Sequence, residues 1–395
     1  MTPQQNRLAL GLASTLLSVG LAFWIWDSRP QRDTVELVDT RVSGEQLFAE
    51  REARKLEPRG ENVLAAHAPL TLGAAQKLFP SLLLRKGRFA LDPQTYYWPH
   101  SNGKRQVNFA EHPKGVLDVS TNGQGFRKNK GVRELAPDLR ILVTGDSHTE
   151  GVVSNSELFT ELLEAQLASN SSERSVEVLN AGKGGYSFYN YLGVLEKFAS
   201  LKPDVFVVTV YGGNDFKESV RPRRYFTELS IGPALKKRFR QPLAYAATEY
   251  HAIVSQFLSQ VLMFVNSEEQ EQIARAAGLE LIEAIEELCQ ESGVQFVLVY
   301  LPPAHDVQKR YIESMVEGVQ ELFRFEPGAL NKADELATEL LAHSAELGIP
   351  SLDLRDSFRE ADEFLYWESD HHLNVRGHQW IAEQLTPLIE ALQPY

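Results

Sequence analysis

The chain has 395 residues, of which 43% are hydrophobic and 24% charged, so its composition is that of an ordinary globular protein and not of a disordered or repeat protein. Its formal net charge of -13 at pH 7 argues against a nucleic-acid partner, because binding to phosphate backbones depends on clusters of Lys and Arg. The single cysteine, Cys289, excludes an internal disulfide and leaves the redox compartment open.

An uncharged apolar segment follows a short N-terminal tail of residues 1–7. Residues 8–26 (LALGLASTLLSVGLAFWIW) are long enough, as a helix, to cross a bilayer core of about 30 Å. The segment ends in bulky aromatic residues, which suit a membrane interface, so we expect an uncleaved transmembrane anchor; a cleaved signal peptide is the alternative. Arginines on both sides leave the orientation undecided by charge. Because a very short tail followed by an apolar run resembles a signal anchor, we expect a single-pass membrane protein whose catalytic part is periplasmic or at the cell surface.

Two further segments precede the main domain. Residues 27–60 are polar and charged, which predicts a stalk. Residues 61–137 mix short apolar runs with Pro, Gly and Asn and show no clear period, so we expect them to wrap around the main domain.

Residues 138–395 alternate short β-branched runs with longer amphipathic segments, a pattern typical of βαβ units. A last helix is predicted over residues 375–392. The predicted strands cover residues 140–144, 176–179, 204–210, 294–300 and 351–354. Right-handed crossovers between them predict a three-layer α/β/α sandwich around a parallel five-stranded sheet, with the flavodoxin-like strand order 2-1-3-4-5.

The connection between the third and fourth strands is far longer than one crossover helix needs, which predicts an insertion at about residues 216–271. Its first half is basic, and we interpret Arg223 and Arg224 as candidates for binding an acidic substrate group; a solvated or membrane-facing surface is the alternative. Its second half is an apolar helical segment that fits a lid, a membrane contact or a subunit interface. We expect the insertion to determine substrate preference.

Ser147 follows the first predicted strand in the sequence ILVTGDSHTEG. Gly145 allows the sharp turn that presents a serine at the carboxyl edge of a sheet, where a helix N-terminus favours developing negative charge. Gly-Asp-Ser is also a common turn sequence, so this motif alone is weak evidence for a nucleophile.

The next two strands end in similar turns. The second is followed by LNAGKGGYSFYN, whose glycines would let a backbone N–H approach a reacting carbonyl. The third is followed by Asn214, whose amide could donate to an oxyanion. A tight turn explains each motif equally well when it is taken alone.

Near the C-terminus, Asp370 and His372 precede the last predicted helix. A histidine has an unperturbed pKa close to neutral, so it can accept a serine proton, and a nearby carboxylate holds its tautomer. His371 is the obvious competitor, whereas His378 fits the first turn of the helix. In the predicted sheet all these groups gather at one carboxyl edge, and Ser147 and Asn214 flank the topological switch point where such sheets bind ligands.

With these motifs in place, residues 140–392 resemble the SGNH hydrolase family. The four matching blocks are Gly145-Asp146-Ser147, NAGKGG at residues 180–185, Gly212-Gly213-Asn214-Asp215 and His372-Leu373-Asn374. The resemblance implies that Ser147 is the nucleophile. It also implies an oxyanion hole made of the N–H of Ser147, the N–H of Gly185 and the side chain of Asn214.

The chain departs from the family pattern at two positions. Many members carry Asp three residues before the catalytic His, whereas here that position is Ser369 and Asp370 lies two residues before His372. This Asp-x-His spacing is similar to that of membrane-associated polysaccharide O-acetyltransferases. His148 stands where the family name implies Leu, so we expect it at the rim of the pocket as a substrate-binding residue.

These features predict a serine-dependent ester hydrolase that acts on an acylated surface carbohydrate or a small ester, without a metal or organic cofactor. A polysaccharide O-acetyltransferase with the same triad and a non-catalytic glycan-binding or assembly protein are the alternatives. The expected partners are this substrate and, through residues 8–26, a membrane; the oligomeric state stays open.

Overall fold

The computed structural model describes residue 78 and residues 89–170, 174–227, 229 and 232–392. The predicted tail, anchor and stalk, and most of the predicted wrapping segment before residue 89, lie outside this part of the chain. Among the described residues, no helix is long and apolar enough to cross a membrane.

The strands of the described residues form one parallel sheet and two small hairpins. In chain order they are β1 (Phe89–Asp92), β2 (Tyr96–Pro99), β3 (Lys104–Asn108), β4 (Val116–Ser120), β5 (Leu139–Thr144), β6 (Val176–Asn180), β7 (Val205–Tyr211), β8 (Gln295–Leu301) and β9 (Ser351–Asp353). The sheet has the order β6-β5-β7-β8-β9 with every pair parallel, which confirms the predicted order 2-1-3-4-5. Strands β5, β6 and β7 are buried along their whole length, because helices cover both faces.

The helices account for both outer layers. In chain order they are α1 (Ser147–Glu150), α2 (Phe159–Asn170), α3 (Phe188–Phe198), α4 (Asp215–Phe226), α5 (Lys237–Glu249), α6 (His251–Ile253), α7 (Ser259–Asn266), α8 (Glu268–Ser292), α9 (Ala304–Val307), α10 (Lys309–Phe323), α11 (Lys332–Glu346), α12 (Arg355–Glu360) and α13 (Val375–Leu392). A π-helical turn at Val254–Leu258 joins α6 to α7. The last helix has the predicted bounds, and α8 ends at the left-handed Gly293.

Two apolar clusters lie on opposite faces of the sheet. Successive strand residues point to opposite sides, so Leu142 joins the cluster covered by α3, α8 and α11, whereas Val143 joins the cluster covered by α2, α10 and α13. The described part of residues 138–395 therefore forms the predicted three-layer α/β/α sandwich.

The described part of the wrapping segment folds as two antiparallel hairpins, β1–β2 and β3–β4. These strands have only four or five residues each, too few for a pattern of period two to stand out in the sequence. The Tyr97 hydroxyl donates to the Gly184 carbonyl at 2.8 Å. The first hairpin thus contacts the loop after β6, which belongs to the candidate site.

Helices α4 to α8 fill the long connection between β7 and β8. The predicted insertion begins inside α4 and ends inside α8, so its expected limits are not element boundaries. The apolar second half does not form a free face, because Phe257 and Leu262 pack into a shared cluster with Phe323 of α10.

Candidate active site

Ser147 is the first residue of α1, directly beyond the end of β5. Asp146 caps this helix, and its Oδ1 accepts a hydrogen bond from the His148 N–H at 2.8 Å. A Cβ at Gly145 would lie 2.0 Å from Thr209 Oγ1, so only glycine fits the turn. The chain consequently leaves the strand abruptly and presents a half-buried Ser147 side chain at the carboxyl edge of the sheet.

Ser147, His372 and Asp370 form one chain of hydrogen bonds. The Ser147 hydroxyl lies 2.8 Å from His372 Nε2, and His372 Nδ1 contacts Asp370 Oδ1 on the other side of the ring. The His372 backbone N–H donates to the same carboxylate oxygen at 3.1 Å. The competing His371 adopts a left-handed φ of 58° and packs against Phe364. His378 accepts a hydrogen bond from the Phe159 N–H at 3.3 Å, as a residue of the first turn of α13.

The charges of this pair favour base catalysis. Burial opposes a charge on His372, but Asp370, with further contributions from Asp146 and Glu150, more than offsets that effect, so the pKa of His372 is raised above its ordinary value. Burial alone would raise the pKa of Asp370, yet the neighbouring His372 holds the pKa of this carboxyl below its usual range. Asp370 is thus a carboxylate at neutral pH, and it keeps the Nδ1 hydrogen on His372 so that Nε2 can accept the Ser147 proton.

The expected oxyanion donors lie at the ends of neighbouring strands. Gly185 follows β6 with a φ of 81°, and Asn214 follows β7 as the N-cap residue of α4. Both are half-buried like Ser147, within loops that are otherwise buried. Asn214 Oδ1 is buried and has no hydrogen-bond partner. Gly184 is held on both sides, because its N–H donates to Glu150 Oε2 at 2.9 Å and its carbonyl accepts from Tyr97.

His148 does not lie at the rim of the pocket, which corrects the expectation from the sequence. Its side chain is buried beneath the site, with its ring 3.8 Å from the ring of Tyr211 and 4.7 Å from that of His372. Burial lowers the pKa of His148 well below its ordinary value, so the ring is neutral. The cause of the error is the helical geometry of α1, which directs the residue after Ser147 inward toward β7.

The assignment of Arg223 and Arg224 as substrate-binding residues stays a prediction, and the structure shows that both arginines are held in ion pairs. They lie in the last turn of α4, while Asn214 precedes its first turn. Arg223 pairs with Glu280 at 2.6 Å and Arg224 pairs with Glu269 at 2.7 Å. Both glutamates belong to α8, so these arginines join two packed helices.

The site also contains groups that the sequence did not reveal. Gln256, in the π-turn, lies between His148 and His372, and Gln260 Nε2 donates to the Gly212 carbonyl at 2.6 Å. Both belong to the insertion, and a glutamine in an apolar helical segment carries no signal of its own. Asp215 accepts from the Tyr191 hydroxyl at 2.6 Å, and burial raises its pKa well above the usual range.

Burial also raises the pKa of Asp146 to about 6. Among the residues that the structure describes, no group of three or more His, Cys, Asp and Glu side chains is placed to hold a metal ion.

Residues 143–319 match the sequence model of the GDSL-like Lipase/Acylhydrolase family. No protein of curated function matches the chain significantly.

Several solved structures are similar to the chain at low identity. An α/β hydrolase from the metagenome of Lake Arreo, Spain, is 14% identical over 66% of this chain and 99% of its own, with a TM-score of 0.37. A lipase/acylhydrolase from Enterococcus faecalis is 16% identical over 65% of this chain and 98% of its own, with a TM-score of 0.36. A catalytic mutant of an acetylxylan esterase from Geobacillus stearothermophilus is 13% identical over 65% and 96% of the two chains, with a TM-score of 0.38.

These TM-scores lie below 0.5, so the family assignment rests on the sequence match, which includes Ser147, Gly185 and Asn214 but ends before Asp370 and His372. The fold then brings the last two residues to the serine. Through residues 143–319 the chain is therefore identified as an ester-hydrolysing enzyme of the SGNH superfamily, with a GDSL-like lipase/acylhydrolase domain.

Proposed function

We propose that the enzyme hydrolyses carboxylic esters through a covalent acyl-serine on Ser147. The observation that carries this proposal is the continuous hydrogen-bonded chain from the Ser147 hydroxyl through His372 to Asp370. A serine hydroxyl is a weak nucleophile at neutral pH, and a hydrogen-bonded imidazole held in the correct tautomer is what activates it.

In the first half of the reaction, His372 Nε2 takes the hydroxyl proton while Ser147 Oγ attacks the ester carbonyl. The N–H groups of Ser147 and Gly185 and the amide of Asn214 stabilise the resulting oxyanion. The C–O bond to the alcohol then breaks, and His372 returns the proton to the leaving oxygen. In the second half, His372 deprotonates a water that attacks the acyl carbon, and Ser147 leaves as the free hydroxyl.

For the substrate we propose an O-acetyl group on a cell-surface glycan or a related ester. The support is the spacing of Asp370 and His372, which is similar to that of membrane-associated polysaccharide O-acetyltransferases. The same spacing favours a second candidate, acetyl transfer to a polysaccharide hydroxyl. Product analysis with a glycan acceptor present separates the two, because transfer yields an acetylated glycan whereas hydrolysis yields free acetate.

We also propose that residues 8–26 anchor the enzyme in a membrane, with the catalytic domain outside the cytoplasm. The support is the length and uncharged character of that segment. Release of the full-length chain from membranes by high salt, without detergent, would contradict the anchor.

The decisive experiment is labelling with a serine-reactive phosphonate, followed by identification of the modified residue. We expect the wild-type enzyme to be labelled on Ser147 and to hydrolyse a small acetyl ester. Ser147→Ala should lose both properties, whereas a matched change at the exposed Ser169, Ser169→Ala, should retain both. A wild-type enzyme that resists labelling would instead support a non-catalytic glycan-binding protein, and full activity in Ser147→Ala would refute the acyl-serine.

A further inference from the structure

The π-turn at Val254–Leu258 carries Gln256 into the catalytic centre. Only 3% of the Gln256 surface is exposed, and its amide lies between two imidazole rings. Its Oε1 is 3.0 Å from His148 Nε2, and its Nε2 is 3.3 Å from His372 Nδ1. A π-turn adds one residue to a helical turn and changes the direction of the side chains around it, and such turns are frequent at functional sites.

The backbone of the π-turn is held against residues 212–214, the loop after β7 that carries Asn214 and is called the oxyanion loop below. A Cβ at Gly213 would lie 2.4 Å from the Gln256 carbonyl oxygen, so the two segments are in direct contact. One helical turn further on, Gln260 accepts from the Lys217 N–H at 3.0 Å and donates to the Gly212 carbonyl. Gln256 therefore extends from a support that is attached to the same loop as Asn214.

The two ends of the Gln256 amide face different histidines, with Oε1 toward His148 and Nε2 toward His372. An amide oxygen only accepts hydrogen bonds, so His148 Nε2 must donate to Gln256 Oε1. The amide nitrogen is then the end that faces His372. Because His372 Nδ1 donates its hydrogen bond to Asp370, the Gln256 N–H acts on this ring as a fixed dipole and limits its movement.

We propose that Gln256 is a positioning residue for His372: with His148 as its support, it fixes the orientation of the imidazole toward Ser147 and limits the stabilisation of the imidazolium by Asp370. This inference rests on the proposed ester hydrolysis. If Gln256 has this role, the insertion contributes a residue to the catalytic centre and is more than an addition to the surface of the sandwich.

The effect of the Gln256 dipole on the protonation of His372 adds to the effects of the titratable groups around this ring. The groups that act on it or face it are Asp370, Asp146, Glu150, His148, His371 and His378. The positive end of a dipole beside a ring disfavours a proton on that ring. Removal of the Gln256 amide should thus ease protonation of His372, and a carboxylate at position 256 should ease it further.

The test compares Gln256→Leu, which keeps the bulk of the side chain, with Gln256→Glu, which keeps its shape and adds a charge. We expect Gln256→Leu to lower kcat about 10-fold with little change in KM, because a misplaced base slows chemistry more than binding. The acid limb of kcat/KM should move to higher pH in the order wild type, Gln256→Leu, Gln256→Glu. At pH values above its acid limb, Gln256→Glu should recover more activity than Gln256→Leu.

Gln241→Leu, an exposed glutamine of the same insertion, is the matched control and should behave as wild type. Near-UV circular dichroism monitors the fold of each variant, and Gln256→Glu keeps the test decisive if Gln256→Leu does not fold. An unchanged acid limb in Gln256→Glu, or a kcat of Gln256→Leu within two-fold of wild type, would overturn the positioning role of Gln256. If the wild-type enzyme is still labelled on Ser147 by the phosphonate, the proposed ester hydrolysis is not affected by that result. A wild-type enzyme that neither labels nor hydrolyses esters would overturn both proposals.

Discussion

At the scale of single residues, the Asp370–His372 pair determines how activity should depend on pH. His372 acts as a base only when neutral, and its pKa lies above the ordinary value because Asp370 outweighs the effect of burial. Activity should therefore rise with pH across an acid limb that lies above pH 6.5, the ordinary pKa of histidine.

Asp370→Asn should move that limb to lower pH, since the charge that favours the imidazolium is gone and burial then dominates. The rate should also fall by about 10⁴, because an amide no longer selects the Nδ1–H tautomer. The measurement is the pH profile of kcat/KM for a small acetyl ester. Asp362→Asn is the control, because Asp362 is an exposed aspartate that precedes Asp370 in the chain. An acid limb that stays in place would contradict the role given to Asp370.

Some residue assignments could be made from the sequence, and others could not. Ser147, Asp370 and His372 were predicted because each stands in a local pattern, after a strand or before a helix, that such chemistry requires. His148 was misplaced, because residue type says nothing about which way a side chain points once its helix is packed.

At the scale of elements, the π-turn lies so close to the oxyanion loop that Gly213 has no space for a side chain. We expect Gly213→Ala to lower kcat by about 10² and to reduce the Tm, since its Cβ would lie 2.4 Å from the Gln256 carbonyl and 2.5 Å from Tyr211 Cε1. A backbone oxygen cannot move aside as a flexible side chain can, so Asn214 must shift.

Gly131→Ala is the matched control, because a Cβ there meets no atom within 4 Å. Steady-state kinetics and thermal unfolding of both variants provide the comparison. Wild-type kcat in Gly213→Ala would show that the loop tolerates displacement and that its contact with the π-turn is not needed for catalysis.

The strands and the insertion differ in how far the sequence predicts them. Buried parallel strands are short β-branched runs, so β5 to β9 were recognisable within one or two residues. The insertion was recognised only by its length. Its apolar helical pattern is the same for a lid, an interface or a packed support, and the π-turn that directs Gln256 inward breaks the helical period on which such predictions depend.

At the scale of the whole molecule, Arg127 joins the described part of the wrapping segment to the catalytic domain. This buried guanidinium donates to the carbonyls of Glu150, Gly151 and Val153 at 3.0, 3.1 and 2.6 Å, and to Asn155 Oδ1 at 2.7 Å. Burial lowers the pKa of Arg127 to about 10, so it remains charged at neutral pH. Its acceptors lie at positions 150–155, in the segment that begins with the end of α1.

Arg127→Lys should lower the free energy of unfolding by about 3 kcal/mol, because an ammonium cannot satisfy four acceptors arranged for a guanidinium fork and buried carbonyls are left unpaired. Urea unfolding followed by tryptophan fluorescence measures this loss. Arg133→Lys, at an exposed position of the same segment, should stay within about 0.5 kcal/mol of wild type. Equal stability of the two variants would refute the structural role of Arg127.

The sequence by itself determined the α/β class, the positions of the strands and the candidate residues Ser147, Asp370 and His372, because each depends on patterns within a few neighbouring positions. Only the tertiary structure decided what surrounds that chain. Gln256 reaches His148 across 108 positions and His372 across 116, and Arg127 joins segments that carry no common pattern. Such contacts depend on how helices and loops pack, and local patterns do not record that packing.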